Sequence, residues 1–225
     1  MPQMPFSPAQ FFDVFRQYNQ SVWPAQWLLN ALAVLAVILA ARGSPRSSRW
    51  VSLILAALWM WAGIAYHLVF FRKINSAAVV FGAAFVAEAA LMLWLGVVKG
   101  DLRFRPHRDT NGVAGTLFLA YALLVYPAIG WLLGRRYPEN PTFGLPCPTT
   151  IFTFGLLLWS EARAPLRIVV IPALWALIGF SAARSLSVTE DYGLLVAGLV
   201  GTSLLALRKR RADVRDPHDR LAAAG

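Results

Sequence analysis

The sequence predicts an all-α, polytopic membrane protein: a bundle of about seven transmembrane helices preceded by a short interfacial helix. The 225 residues are 58% hydrophobic and only 14% charged, whereas soluble domains average about 45–50% apolar and about 25% charged residues. The charges are also segregated, since segments 17–41, 50–71 and 110–134 carry none. Each of these segments can hold the roughly 20 residues that a membrane span needs. An ordinary soluble enzyme is therefore excluded.

The remaining spans follow from extending the apolar runs to their charged flanks. A fourth apolar run is interrupted only by Glu88, and three shorter runs after residue 145 reach span length when their flanks are included. The predicted helices are 24–41, 50–71, 76–98, 112–133, 146–160, 165–184 and 189–208.

The distribution of Lys and Arg predicts an orientation. With the N-terminus outside, 15 of the 21 basic residues fall in cytoplasmic segments and six fall outside, in accord with the positive-inside rule. A fifth helix that failed to cross would move the tail Arg208, Lys209, Arg210 and Arg211 to the outer side, against that bias. We therefore predict a multi-pass membrane protein with its N-terminus outside and a cytoplasmic C-terminus.

The two ends of the chain predict different attachments. Residues 1–22 form an amphipathic interfacial segment, in which Ser7 and Gln10 have capping-box spacing and Phe11, Phe15 and Tyr18 share one helical face. Residues 23–208 form the transmembrane domain, and 209–225 form a basic cytoplasmic tail. The tail's charge suits anionic lipid head groups. The predicted partner is the lipid bilayer and not nucleic acid, the other class that a net charge of +10 brings to mind.

Two side chains could bind a soft or borderline metal ion. Cys147 lies between Pro146 and Pro148 at the start of the fifth helix, where the helix dipole favours a thiolate. His67 is the only histidine inside a span, in the outer half of the second helix. Thiolate and imidazole together favour such metals. The structural alternative is a small residue packed at a kinked helix entry and a hydrogen-bonded packing histidine.

Other polar residues predict a cavity that is open to the outside. Asn75, Thr149, Thr150, Glu190 and Asp191 map to the outer half of the membrane or its outer rim, and Tyr66 precedes His67. Glu88 lies deeper, where a carboxylate must face protein or water or stay protonated. It is expected to couple a proton or a cation, and the structural alternative is a protonated carboxyl group hydrogen-bonded between helices. Near the last helix, residues 187–190 have capping-box spacing, and Asp191 complements the helix dipole.

Several chemistries are excluded by residue placement. All three lysines lie at span ends, which rules out a retinal attachment of the microbial-rhodopsin type, and a single intramembrane histidine rules out bis-histidine haem. No phosphate-binding loop, zinc-protease motif or serine-hydrolase elbow occurs. An enzyme is the least favoured class because no complete catalytic set is present.

Two sequence blocks resemble a bacterial multi-pass membrane family of unknown function. They are residues 61–71 with Ile74 and Asn75, and residues 141–155, which contain the Gly-Leu-Pro-Cys-Pro-Thr-Thr sequence around Cys147. The resemblance extends from the N-terminal helix to the last span. It implies a bacterial plasma-membrane protein and implies no reaction.

Together these observations predict a small transporter or sensor with an outward-facing polar or soft-metal site. The metal residues are Cys147 and His67, and the substrate-binding or coupling residues are Glu88, Asn75, Thr149, Thr150 and Tyr66. The alternative is a non-catalytic membrane partner or regulatory subunit of another complex. That alternative predicts that Glu88→Gln is tolerated.

Overall fold

A computed structural model describes residues 5–161 and 165–222, with side chains described as far as residue 212. The helices that position the site are α1 Pro8–Ser21, α2 Ala25–Arg42, α3 Pro45–Lys73, α4 Ala78–Val98, α5 Thr110–Leu132, α6 Pro146–Leu158, α7 Leu166–Leu186 and α8 Tyr192–Ala222. The last helix continues through the predicted boundary at residue 208 without a break.

The prediction of a polytopic helical bundle is confirmed. Among the described residues, six helices are long and apolar enough to cross a membrane: α2 to α5, α7 and the first part of α8. Their outer faces carry exposed tryptophan, leucine and valine side chains, which a lipid bilayer covers. Helix α6, which the sequence predicts as the fifth span, has only 13 residues, or about 20 Å against the roughly 30 Å of a hydrocarbon core. It is buried on nearly all sides among α3, α5, α7 and α8.

Short polar side chains start several of these helices. Ser7 and Gln10 form the predicted capping box of α1, and Ser44 with Ser47 forms another at the start of α3. Asp109 accepts a hydrogen bond from the Gly112 amide at the start of α5, and this bond lowers the pKa of its carboxyl group. The capping box predicted from Ser187 is wrong, because Ser187 takes a left-handed conformation that ends α7 (φ 58°).

The apolar face of α1 is turned towards the bundle. Phe11, Phe15 and Tyr18 are buried against the C-terminal part of α3, and the Tyr18 hydroxyl accepts a hydrogen bond from Trp61 Nε1 at 2.7 Å. Asn19 then ties α1 to the 133–145 loop through the Pro138 and Asn140 carbonyls, at 2.6 and 2.9 Å. The helix is thus fixed by protein contacts, and its contact with lipid head groups stays a prediction.

The opposite end of the bundle is closed around the last turn of α6. The Arg208 guanidinium donates to the carbonyl groups of Leu157, Leu158 and Ser160. The last carbonyls of a helix lack partners within the helix. Leu157 O also accepts from the Ser160 amide at 3.0 Å and from the Ser160 hydroxyl at 2.6 Å, so Arg208 adds to contacts made within this turn. The 99–109 loop adds a backbone bond from Arg105 N to Trp159 O at 2.8 Å. Arg208, read from sequence as part of a lipid-facing cluster, therefore caps the central helix.

The two ends of the bundle differ in charge. We name them the α1 end, with residues 5–24, 74–77, 133–145 and 187–191, and the basic end, with residues 43–44, 99–109 and 159–161. The basic end and the adjoining ends of α2, α3, α7 and α8 carry most of the arginine residues. By the positive-inside rule the α1 end is predicted to face outwards.

Candidate functional site

Three of the described spans contain a π-helical segment: Leu93–Val98 of α4 lies at the basic end, and the other two lie in α3 and α5. Residues Ala62–Phe70 of α3 and Tyr121–Val125 of α5 form π-helical segments. The second segment precedes Pro127, which lacks the backbone N–H that a regular helix would use. π-Helical turns are rare and occur frequently at functional sites. Tyr66 and Tyr126 lie within or beside these segments, and both side chains face the same cavity.

That cavity has a volume of about 160 Å³ and lies at the α1 end between α1, α3, α6 and α7. Phe6, Phe11 and Phe15 contribute rings from the N-terminal segment. Tyr66 and Phe71 of α3 stack with ring centroids 5.6 Å apart and line a second side. The walls are completed by Asn75, Phe81, Tyr126, Leu145, Pro146, Cys147, Trp175, Ile178, Gly179, Ser181, Ala182, Ala183 and Asp191.

One side of the cavity is polar. The Tyr126 hydroxyl donates a 2.6 Å hydrogen bond to Asp191 Oδ1, and Asp191 is only 4% exposed. The Cys147 thiol lies beside this carboxylate and beside the indole of Trp175. A Cβ atom added to Gly179 would be 3.6 Å from both Cys147 Sγ and Trp175 Nε1. The buried indole N–H adjoins the Cys147 sulfur and has no other hydrogen-bond partner in the described structure.

A buried ion pair supports the polar side from behind. Arg135, just after α5, forms a salt bridge with Glu190, whose side chain is fully buried. The Tyr121 hydroxyl donates to the Glu190 carbonyl at 2.7 Å. These contacts fix the turn that carries Asp191, because Glu190 and Asp191 both belong to the short Thr189–Asp191 turn before α8.

Three of the residues predicted from sequence meet at this cavity. Cys147, Tyr66 and Asn75 all line it. Cys147 stands at the second position of α6, as expected for a residue at a helix start. Asn75 also accepts a hydrogen bond from the Ala77 amide at 3.1 Å, which shapes the turn between α3 and α4.

The other predicted residues lie behind the cavity wall. His67 is fully buried among aromatic rings, with its ring centroid 4.9 Å from Trp175 and 4.8 Å from Phe85. Neither of its nitrogens has a hydrogen-bond partner in the described structure. The Thr150 hydroxyl donates to the Pro146 carbonyl at 2.8 Å, whereas the buried Thr149 hydroxyl has no such partner among the described residues.

Glu88 lies away from the cavity, in the middle of α4. It is fully buried, and neither carboxylate oxygen has a hydrogen-bond partner in the part of the chain that the structure describes. A carboxylate without partners in a membrane interior is expected to hold a proton. Such a group can take up and release a proton when its surroundings change.

The predicted metal site consists of two metal-binding residues, Cys147 and His67. Within residues 5–161 and 165–212, whose side chains are described, no three His, Cys, Asp or Glu side chains form a group that could hold a metal ion. Cys147 and His67 are separated by the Trp175 indole, which contacts both. A site built from these two residues stays a prediction.

Two residues of the polar side, Tyr126 and Trp175, were not singled out from the sequence. Asp191 was mapped to the outer half of the membrane but was not named as a site residue, because its position also suits helix capping. One sequence feature could have identified Trp175: it lies mid-span, away from the membrane interface where tryptophan is usual. For Tyr126 the only such feature is weaker: the following Pro127 marks a departure from regular helical winding.

Fold and site together define a polytopic α-helical membrane protein with an aromatic cavity and a buried carboxylate at one end. Residues 8–216 match a family of unknown function (DUF6064), and the chain belongs to that family.

Among curated proteins, the chain is similar to protein RarD of Streptomyces exfoliatus, with 29% identity over 157 residues. The match covers 68% of this chain and 48% of the relative, so the chain spans about half the length of that protein. No solved structure matches the chain.

Proposed function

We propose that this protein is a small transporter or sensor of the bacterial plasma membrane that binds a small molecule in the cavity at the α1 end. The observation that carries this proposal is the cavity itself. It combines apolar walls with a few convergent polar groups, which is typical of small-molecule sites. Tyr66, Asn75 and Cys147 contact the ligand in this scheme.

The open side of the cavity lies between α7 and the turn that precedes α4. Ile178 and Ser181 of α7 line the cavity and are exposed, and Asn75 lies half-buried across from them. With the α1 end outside, a ligand enters here from the outer side. Ala182, on the same stretch of α7, also lines the cavity and is half-buried, so a bulky side chain at this position would obstruct entry.

Glu88 is the proposed coupling residue. It is buried without partners on α4, which contacts both α3 and α7. These two helices supply Tyr66 and Trp175 to the cavity. A change in the packing of α4 can therefore link the proton on Glu88 to the state of the cavity.

Access is tested with Cys147, the chain's only cysteine. Intact cells that express the protein are treated with the membrane-impermeant reagent 2-(trimethylammonium)ethyl methanethiosulfonate. The thiol attacks the reagent's sulfenyl sulfur, forming a mixed disulfide and releasing methanesulfinate. We expect Cys147 to be modified from outside, as measured by the mass of the purified protein.

Two variants make the labelling specific. Ala182→Trp is expected to reduce labelling of Cys147 to background, whereas Ala57→Trp, on an exposed face of α3, leaves it unchanged. Labelling only in inside-out vesicles would contradict the orientation. Labelling only after denaturation would contradict a reachable cavity and with it the proposed function.

A further inference from the structure

The cavity walls have the composition of a site for an organic cation. Rings from four separate segments line it: Phe6 before α1, Tyr66 and Phe71 of α3, Phe81 of α4 and Trp175 of α7. The faces of aromatic rings carry negative potential, and groups of such rings bind quaternary ammonium ions. Leucine or valine walls would give the same apolar burial without this preference.

The polar side adds the carboxyl group of Asp191. The Arg135 guanidinium and the Glu190 carboxylate neutralise one another in their salt bridge. In the described structure no salt bridge reaches Asp191, and its hydrogen-bonding neighbours, the Tyr126 hydroxyl and the Cys147 thiol, are both neutral. Neutral donors satisfy a buried carboxyl group without supplying a positive charge. A cationic ligand beside this group would stabilise its ionised form.

The size of the cavity limits the ligand. An engineered cavity of about 150 Å³ in another protein accepts benzene, and this cavity measures about 160 Å³. A ligand of about five to eight non-hydrogen atoms therefore fits. Small alkylammonium ions are in this range, and larger lipids and drug-sized cations are not.

We infer that the cavity selects a small organic ammonium ion, held between the aromatic walls and the Asp191 carboxylate. This inference rests on the proposed function, because it names the substrate class of the same site. Trp175 Nε1–H and the Cys147 thiol lie beside the carboxylate. They offer a hydrogen-bond donor and a polarisable sulfur to a polar substituent on the ligand.

The test compares three ligands of nearly the same shape on the purified protein. Choline is cationic, 3,3-dimethylbutan-1-ol is its neutral isostere, and 3,3-dimethylbutanoate is an anion with the same tert-butyl group. Binding is measured by titration calorimetry in detergent micelles. We expect choline to bind at least about tenfold more tightly than the alcohol, and we expect the anion not to bind.

Variants assign the preference to Asp191. Asp191→Asn is expected to remove the advantage of choline over the alcohol. Glu139→Gln, which removes an exposed negative charge at the same end of the bundle, is expected to keep it. The three-ligand comparison on the unmodified protein decides the charge preference even if Asp191→Asn does not fold.

Three results of these binding experiments would overturn the inference, each for a different reason. Equal binding of choline and the alcohol would overturn the cation preference and leave a small-molecule cavity in place. An unchanged preference in Asp191→Asn would remove Asp191 from the recognition of charge and overturn the inference in this form. Absence of binding by all three ligands, with Cys147 still labelled from outside, would overturn the substrate class while the claim of access stands.

Discussion

Replacing Arg135 with methionine is expected to lower the free energy of unfolding by about 3–5 kcal/mol. Glu190 is fully buried, and Arg135 is its partner in the only salt bridge that the described structure shows for it. Removal of the guanidinium leaves an uncompensated carboxylate in a medium of low dielectric constant. The Tyr121 bond to the Glu190 carbonyl and the position of Asp191 depend on the same turn.

A second substitution separates charge from packing. The double variant Arg135→Met/Glu190→Gln is expected to recover most of the lost stability, since it buries no net charge. Arg136→Met, at an exposed neighbouring position, is expected to cost less than about 1 kcal/mol. Unfolding in detergent micelles, followed by tryptophan fluorescence, measures all three. A double variant no more stable than Arg135→Met would show that the ion pair is not what the turn depends on.

Replacing Glu88 with glutamine is expected to abolish proton movement while ligand binding is kept. The amide has nearly the shape of a protonated carboxyl group but cannot release a proton. Proteoliposomes with an entrapped pH dye, placed in a choline gradient, measure the coupling. The unmodified protein should change the internal pH, and Glu88→Gln should behave like empty liposomes.

The control for Glu88 is an acid outside the bundle interior. Glu161→Gln, at an exposed position of the basic end, is expected to retain proton movement, and calorimetry is expected to show unchanged choline binding in Glu88→Gln. Proton movement that persists in Glu88→Gln would exclude this residue from coupling. Full tolerance of Glu88→Gln is also what a non-catalytic regulatory subunit predicts.

The helices were predictable because the bilayer imposes length and composition on each span. The helices predicted at 24–41 and 76–98 are found at Ala25–Arg42 and Ala78–Val98. The exception is α6, predicted as 146–160 and found as a 13-residue helix. An apolar run of this length is compatible with a span or with a buried core helix. The choice depends on how neighbouring helices surround it, which the sequence of the helix does not show.

The site was only partly predictable because it depends on contacts between distant segments. Cys147 and Asn75 were selected for their own chemistry, and both line the cavity. Asp191 was assigned to capping, since nothing local shows that Tyr126, 65 positions away, donates to its carboxylate. The π-helical segment around Tyr66 also has no evident sequence signal. Its side chains are placed by packing against α1 and α7.

The charge preference of Cys147 modification tests most directly the claim that a reachable cavity beside Asp191 attracts cations. Purified protein is treated with methanethiosulfonates that carry either a trimethylammonium or a sulfonate group, and the two rates are divided by the rates with free cysteine. We expect the ammonium reagent to react at least about tenfold faster, since Asp191 adjoins the thiol, and we expect Asp191→Asn to remove the difference. Equal rates in the unmodified protein would contradict the claim.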